Sequence, residues 1–314
     1  SALRALELRA GPPRALPSAL KERVEVVLSN QVARTVEILE TAPVAGGCIH
    51  QAACLSTNTG EDFFLKWTRG AVSDVFAAEA DGLSALREST GLTIPEVIGN
   101  SDALENPAWL LLEYIPRGGP APDYAEHLGE ALSALHEARE GPYGWHRSNY
   151  IGSLPQANTT TDDWSTFWWT ERLEPQLALA RDNGRPPGLD RDWAALESKL
   201  PELLEDAVED GRSILHGDLW SGNVYPGPDG GPVLVDPAVY RGHREVDLAM
   251  TELFGGFPEA FYTAYENRRP LTDGYRDARL HVYQLYPLLV HVNLFGGSYV
   301  NGAEGALQKA LRAR

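Results

Sequence analysis

The sequence predicts an α+β protein with two lobes, a small β-rich N-terminal lobe and a larger α-helical C-terminal lobe. Strand-like segments predominate in the first third of the chain, whereas helical periodicity predominates beyond residue 121. A run of chain-breaking residues, PRGGP at 116–120, separates the two patterns. With 314 residues, the chain is long enough for two lobes. We therefore predict an N-terminal lobe over residues 1–115, a hinge over 116–120 and a C-terminal lobe over 121–314.

The N-terminal lobe is predicted to be an antiparallel sheet with helical segments. Apolar residues recur at helical spacing over residues 18–30, and three strand-like segments between 32 and 68 predict an antiparallel meander. A helix over residues 73–88 follows, with apolar side chains on one face. The segments 93–102 and 107–115 have the composition of two further strands, which complete the sheet before the hinge.

The C-terminal lobe is predicted to be mainly helical. Helical patterns run from residue 124 through most of the remaining chain, and only 213–216 and 232–236 have the composition of strands. A cleft between two lobes is the usual place for a ligand, so we expect the functional residues to meet there.

Composition excludes several classes of partner. Lys and Arg number 27 against 44 Asp and Glu, which gives a net charge of −17 and a pI near 4.9. Such a surface repels nucleic acid phosphates and anionic lipid headgroups, so we expect no nucleic acid and no membrane partner. The N-terminal residues lack the continuous apolar stretch of a secretory signal, and Cys48 and Cys54 are the only cysteines. We therefore expect a cytoplasmic protein.

Two motifs in the C-terminal half carry the sharpest chemical signal: ILHGDLWSGN at 214–223 and VLVDPA at 233–238. Asp218 precedes Asn223 by five positions, and Asp236 follows thirteen positions later at the end of an apolar strand. This is the spacing of the catalytic base and the metal ligands in kinase sequences. An ordinary turn before a hairpin would explain the HGD alone, but it does not explain the whole pattern.

Lys66 is the most unusual basic residue of the chain. It is one of only four lysines and lies in the apolar segment FFLKW at 63–67. Burying an ammonium group is costly unless an anion accompanies it, which indicates a bound phosphate, a carboxylate partner or both. Glu79, in the predicted helix that follows, is the natural partner. The alternative is an outward-facing lysine on an edge strand.

Two further segments are candidates for nucleotide contacts. Gly46 and Gly47 link the first two predicted strands, where a flexible backbone can approach phosphates, although Gly-Gly is also an ordinary hairpin turn. The segment Glu113–Ile115 enters the predicted hinge, where the backbone of a two-lobed kinase contacts adenine. A plain sheet strand is compatible with that role.

The chain resembles the fructosamine kinase, or ketosamine kinase, family, a branch of the protein-kinase-like fold that also contains aminoglycoside phosphotransferases and choline kinases. The resemblance extends from about residue 18 to 310. The stretches that carry it include GGCIHQA, FFLKW, NYIGSLPQANTTTDDWSTFWWTERL, LHGDLWSGN, VLVDPAVYRGHREVDLAMTELFGGF and YQLYPLLVHVNLFGGSYV. The NYIGSLPQ block and Trp220 separate it from kinases of the choline and aminoglycoside type.

The resemblance implies a role for each candidate residue. Asp218 is the implied catalytic base, Asn223 and Asp236 are the implied Mg²⁺ ligands, and Lys66 with Glu79 orients the phosphates of ATP. Further implied contacts are with the phosphates (Gly46 and Gly47), with adenine (Glu113, Tyr114 and Ile115) and with the acceptor (Trp220, His291, Asn293 and Tyr299). His291, Asn293 and Tyr299 could equally be core residues. We also expect His216 to orient the catalytic loop, and Glu245 and Asp247 to pin it through buried hydrogen bonds.

The implied activity is transfer of the γ-phosphoryl group of ATP to the 3-hydroxyl of a ketosamine, a sugar adduct of a small-molecule or protein amine, which initiates deglycation. Two alternatives remain open from the sequence. One is an aminoglycoside- or choline-type small-molecule kinase, and the other is a catalytically silent nucleotide-binding module. The sequence makes no prediction of oligomeric state.

Overall fold

The N-terminal lobe of the computed structural model is a five-stranded antiparallel sheet with a helix packed on each face. The structure describes residues 15–44, 50–70, 74–102, 105–137 and 140–313. The strand order is β1-β2-β3-β5-β4. The elements are α1 (Ser18–Val32), β1 (Ile38–Pro43), β2 (Gln51–Thr57), β3 (Asp62–Thr68), α2 (Val75–Ser89), β4 (Val97–Asn100) and β5 (Ala108–Glu113).

Alternation along the strands divides the side chains of the sheet between two cores. Leu65 and Trp67 of β3 pack with α1, whereas Leu110 and Leu112 of β5 belong to the core that contains α2. Successive side chains of a strand point to opposite faces, and Lys66 pairs in register with Leu110. Lys66 therefore faces α2, which is the side of the sheet that continues into the C-terminal lobe.

The C-terminal lobe is mainly helical, as predicted. Its helices are α3 (Tyr124–Leu135), α4 (Trp164–Phe167), α5 (Glu174–Asp182), α6 (Asp190–Leu203), α7 (Glu205–Asp210), α8 (Glu245–Phe254), α9 (Glu259–Arg268), α10 (Leu280–Phe295) and α11 (Tyr299–Arg312). Single π-helical segments join α4 to α5 (Trp168–Leu173) and lead into α10 (Tyr275–Arg279). None of the helices in the described part of the chain has the length and apolarity to cross a bilayer.

The described part of this lobe contains three short two-stranded sheets, and the sequence predicted only part of them. They pair β6 (Asn149–Ile151) with β7 (Leu154–Gln156), β9 (Val224–Pro226) with β10 (Pro232–Leu234), and β8 (Ser213–Leu215) with β11 (Tyr240–Gly242). The prediction of only two strands was wrong. The apolar segments β8 and β10 were identified, whereas β6, β7, β9 and β11 are short and contain polar residues or proline, so no apolar pattern marks them. The predicted first strand also began too early, since α1 continues to Val32.

The predicted hinge residues run against the β9–β10 hairpin of the C-terminal lobe. The backbone N–H of Gly118 donates to the carbonyl of Pro226 over 2.8 Å, and the guanidinium of Arg117 lies 4.4 Å from the ring centre of Tyr225. A Cβ atom at position 118 would lie 2.1 Å from the carbonyl oxygen of Gly227, so only glycine allows this approach. The connection between the sheet and α3 is therefore tied to the C-terminal lobe.

A buried polar network holds the β6–β7 hairpin in place. The side-chain oxygen of Asn149 accepts from the amides of Gln156 (2.8 Å) and Asn158 (3.0 Å), and its own amide donates to the carbonyl of Val239 (2.8 Å). The hydroxyl of Tyr286 donates to Gln156, which ties the hairpin to α10. The hairpin therefore packs beside residues 236–240, the segment that follows β10.

We expect Asn149→Ala to lower the free energy of unfolding by about 3 kcal/mol, because it leaves buried donors and an acceptor without partners. Urea denaturation of the purified protein measures this. The control is Asn301→Ala at an exposed position of α11, which should change the free energy by less than about 0.5 kcal/mol. Equal effects of the two substitutions would contradict the structural role of the network.

Candidate active site

A cleft of about 360 Å³ lies between the two lobes and collects most of the predicted functional residues. The N-terminal lobe contributes side chains from β3 and α2, and the C-terminal lobe contributes the loops after β8 and β10 together with α8 and α10. The predicted residues that line the cleft are Lys66, Glu79, Asp218, Trp220, Asn223, Asp236 and His291.

Lys66 is a buried cation that two carboxylates share. The residue is 4% exposed, and its Nζ lies 2.5 Å from Oε1 of Glu79 and forms a second, short ion pair with Oδ1 of Asp236. Burial raises the pKa of Glu79, while the charge of Lys66 opposes the shift. Because β3 lies between β2 and β5, the alternative of an edge-strand lysine facing solvent was wrong.

Asp236 reaches Lys66 because the backbone turns sharply where β10 ends. Its φ of 56° lies in the left-handed region, which is uncommon for residues other than glycine and frequent at functional sites. The neighbouring Val235 is held on both sides, since its N–H donates to the carbonyl of Asn223 and its carbonyl accepts from His216. These bonds fix the chain before the turn, so that the Asp236 carboxylate projects toward the N-terminal lobe.

Asp247 of α8 pins the loop that precedes Asp218. Its carboxylate accepts from the backbone N–H groups of His216 (2.8 Å) and Gly217 (2.9 Å) and lies 3.1 Å from Nε2 of His136. Burial alone would raise the pKa of Asp247, but these bonds and the two nearby imidazoles lower it. The predicted pinning by Asp247 is confirmed, whereas Glu245 instead pairs with Arg279 over 2.7 Å.

Asp218 and Asn223 lie together at the floor of the cleft. The Asn223 amide donates to the backbone carbonyl of Asp218 (2.9 Å), to its carboxylate (3.3 Å) and to the carbonyl of Asp236 (3.4 Å). Burial raises the pKa of Asp218 to about 7, and the negative charge of Asp236 adds to the shift. Such a carboxyl group can hold or accept a proton near neutral pH.

The four predicted acceptor-side residues separate into two groups. Trp220 and His291 line the cleft, and the His291 ring packs between Phe254 (4.7 Å between ring centres) and Tyr299 (4.8 Å). In the described chain, Asn293 and Tyr299 are not among the residues that line the cleft. Asn293 donates instead to Gln176 of α5, with N–O distances of 2.9 and 2.8 Å, so the structure gives it a contact between helices.

The predicted adenine segment lies outside the described lining of this cleft. The carboxylate of Glu113 is exposed and accepts from the backbone N–H of Glu96 (3.1 Å). Tyr114 is half-buried, and the carbonyl of Ile115 accepts from the hydroxyl of Tyr225 (3.0 Å). Gly46 and Gly47 lie outside the residues that the structure describes.

Sequence reasoning missed several residues that the fold brings into the cleft. Tyr150 and Gly152 come from the β6–β7 hairpin, which falls in the NYIGSLPQ block but received no site role. His50 enters beside Lys66, and burial together with the lysine charge lowers its pKa to about 4. Met250 and Phe254, which are one helical turn apart on α8, form part of an apolar wall. Their spacing was visible in the sequence, but it did not distinguish a cleft wall from core.

The fold and the cleft together define a kinase-like phosphotransferase. Two crystal structures provisionally named fructosamine-3-kinases are similar to the chain. The one from Haemophilus somnus has a TM-score of 0.80 and 25% identity, covering 93% of this chain and 100% of that chain. The one from Thermobifida fusca has a TM-score of 0.78 and 34% identity, covering 92% and 99%. An aminoglycoside phosphotransferase (TM-score 0.56, 18% identity) shares the fold. The predicted fold class is confirmed.

The chain belongs to the fructosamine kinase family, whose sequence profile matches residues 20–313. A protein of Synechocystis named a probable ketoamine kinase is 40% identical over 286 residues, which cover 91% of this chain and 95% of that protein. A protein of Arabidopsis thaliana named a chloroplastic protein-ribulosamine 3-kinase is 36% identical over 281 residues, covering 89% and 85%. The predicted family is confirmed.

The raised pKa of Asp218 predicts a pH-dependent stability difference between the wild type and Asp218→Asn. In the folded protein Asp218 keeps its proton up to about pH 7, whereas in the unfolded chain it loses the proton above about pH 4. The carboxyl group therefore stabilises the fold at low pH, and this effect is lost as the pH rises through about 7. Between about pH 5.5 and 8.5, Asp218→Asn should gain about 2 kcal/mol relative to the wild type. Urea denaturation in the presence of a metal chelator measures this, and a pH-independent difference would contradict it.

Proposed function

We propose that this protein is an ATP-dependent kinase that phosphorylates the 3-hydroxyl of ketosamines and so initiates deglycation. One observation carries the proposal: in this member of the fructosamine kinase family, Asp218 lines the same cleft as the buried Lys66–Glu79–Asp236 cluster. The names ketoamine kinase and protein-ribulosamine 3-kinase of the relatives support the acceptor class. The predicted phosphotransferase activity follows from the same relatives.

Asp218 is the proposed catalytic base. A pKa near neutrality suits a group that aligns the acceptor hydroxyl and accepts its proton. Phosphoryl transfer has a loose transition state, so positioning and charge neutralisation contribute more than base strength. Asp247 supports this role, because it holds the backbone at His216 and Gly217 and thereby fixes where the Asp218 side chain starts.

Lys66 is the proposed phosphate-binding cation. It is desolvated and held by Glu79, so its charge acts on an anion in the cleft with little screening by water. Its second partner, Asp236, is less buried, with 31% of its side chain exposed. We infer that Lys66 stays with Glu79 when the β- and γ-phosphates of ATP enter, and that the Asp236 carboxylate then serves the metal.

The donor set at this end of the cleft fits Mg²⁺. Mg²⁺ prefers oxygen ligands and is commonly held by one or two protein side chains, several waters and substrate phosphates. Asp236 offers a carboxylate and Asn223 an amide oxygen, whereas no cluster of three or more His, Cys, Asp or Glu side chains fit to hold a metal occurs in the described chain. A bound Mg²⁺ would neutralise phosphate charge, and Asn223 and Asp236 are the residues we propose to hold it.

The acceptor end of the cleft is apolar and aromatic. Trp220 offers a flat surface for a sugar, and Met250, Phe254 and Val290 are among the apolar residues that line the same cleft. Among the described lining residues, the carboxylates are Glu79, Asp218 and Asp236, all of them at the phosphoryl-transfer end. We propose that the ketosamine sugar lies against Trp220, with His291 as part of the surrounding wall.

Cytoplasmic location and action on either free or protein-bound ketosamines remain proposals from the sequence. The small number of cysteines supports the first. The relative named a protein-ribulosamine 3-kinase supports the second for a protein-bound acceptor.

The test is ATP consumption with ribulosamine, fructosamine, choline and aminoglycoside acceptors. We expect turnover on a ketosamine, and a loss of about 10²-fold or more in kcat for Asp218→Asn because the proton acceptor is removed. Asp182→Asn, at an exposed position at the end of α5, is the matched control and should retain wild-type turnover.

The acceptor panel also distinguishes the alternatives. Turnover only on choline or an aminoglycoside would retain the kinase chemistry and contradict the ketosamine acceptor. Binding of Mg-ATP with no turnover on any acceptor would indicate a silent nucleotide-binding module. Full activity of Asp218→Asn would exclude Asp218 as the base.

A further inference from the structure

Helix α2, which carries Glu79, is tied to the C-terminal lobe through its own acidic residues. Asp81 accepts from the indole N–H of Trp145 over 2.7 Å and lies 3.0 Å from Nε2 of His146. Trp145 is buried, whereas the His146 side chain is 62% exposed, so the indole bond is the better shielded of the two.

A second tie lies at the N-terminal end of the same helix. Asp74, the residue before α2, accepts from the guanidinium of Arg147 and from the hydroxyl of Tyr150, each over 2.7 Å. Arg147 also donates to the carbonyl of Ala77 over 3.2 Å. Burial opposes ionisation of Asp74, but these two bonds lower its pKa. Asp74 is therefore a charged acceptor with two fixed donors.

The geometry of the helix shows what these ties hold. Positions 74, 77 and 81 recur at spacings of three and four, so they lie along one face of α2, and their donors come from the short segment 145–150. Glu79 lies between them in sequence and points into the cleft toward Lys66. A shift of α2 away from residues 145–150 would move Glu79 with it.

We propose that Asp74 and Asp81, with Trp145, Arg147 and Tyr150, form a clamp that positions the Lys66–Glu79 pair for nucleotide binding. These are positioning residues, since they act on the phosphates through Glu79. Tyr150 has a second contact, because it also lines the cleft. It therefore connects the lining of the cleft to the helix that carries Glu79. The inference rests on the proposed use of ATP, but not on the identity of the acceptor.

Two measurements test the clamp, and neither needs an acceptor. Tyr150→Phe and Asp74→Ala each remove the bond between these residues, and Glu88→Gln, at an exposed position of α2, is the matched control. Hydrogen exchange of the α2 backbone amides should be faster in the two clamp variants than in the control. Mg-ATP affinity, measured by calorimetry, should fall about fivefold to tenfold in Tyr150→Phe, the scale of one lost intramolecular hydrogen bond, and by at least as much in Asp74→Ala.

Double variants distinguish a positioning role of the clamp from a general contribution to packing. The double variant Asp74→Ala/Tyr150→Phe should bind Mg-ATP about as weakly as Asp74→Ala alone, because Asp74→Ala already removes the bond that Tyr150→Phe deletes. In a Glu79→Gln background, Tyr150→Phe should have no further effect, because the clamp acts through Glu79. Trp145→Phe, which removes only the indole donor, provides an independent variant should Asp74→Ala fail to fold.

The proposal would be overturned if the α2 backbone amides of Tyr150→Phe and Trp145→Phe exchanged at the same rate as those of Glu88→Gln. It would also be overturned if the losses of Mg-ATP affinity in the two single variants added up in the double variant. The same holds if Tyr150→Phe lowered the affinity as much in the Glu79→Gln background as in the wild type. Failure of every ketosamine as acceptor leaves these results intact, so the clamp and the proposed acceptor are tested separately.

Discussion

The buried ammonium group of Lys66 is the constraint on which the rest of the cleft depends. A cation with 4% exposure is tolerated only with anions beside it, and the structure supplies one from α2 and one from the turn after β10. Meeting this requirement brings together three elements from distant parts of the sequence. The same requirement makes the site receptive to a polyphosphate, because a ligand anion can replace a protein carboxylate beside the lysine.

Buried polar groups hold two further segments of the cleft lining in place. Asp247 accepts from two backbone N–H groups and contacts one imidazole, so α8 fixes the loop that precedes Asp218. The Asn149 network places the β6–β7 hairpin beside the segment after Asp236. Movement of the loop or of the hairpin would break these buried hydrogen bonds, which are costly to lose. Preorganisation of this kind suits a reaction that depends on positioning.

The sequence was informative where the chemistry requires particular residues at close spacing. HGD with Asn223 and Asp236 predicted one end of the site, and Lys66 was identifiable because a lysine between apolar strand residues needs an explanation. Contacts formed across the fold were not predictable in this way. Tyr150 and His50 reach the cleft through tertiary packing, and Asn293 lies on the same helix as His291 but on a different side. Of the three-residue strands, β8 and β10 were predicted because they are apolar, whereas β6, β7, β9 and β11 are too short and too polar for an apolar pattern to register.

The central claim is tested most directly by measuring the affinities of the wild type and of Lys66→Met for Mg-ATP and for adenosine. If Lys66 is the cation that binds the phosphates, Lys66→Met will lose about 10²-fold in affinity for Mg-ATP, the scale of a broken charged contact in a buried site, and will bind adenosine as the wild type does. An equal loss for both ligands, or no loss for either, would contradict the account, because the buried lysine would then be a structural element rather than the phosphate site.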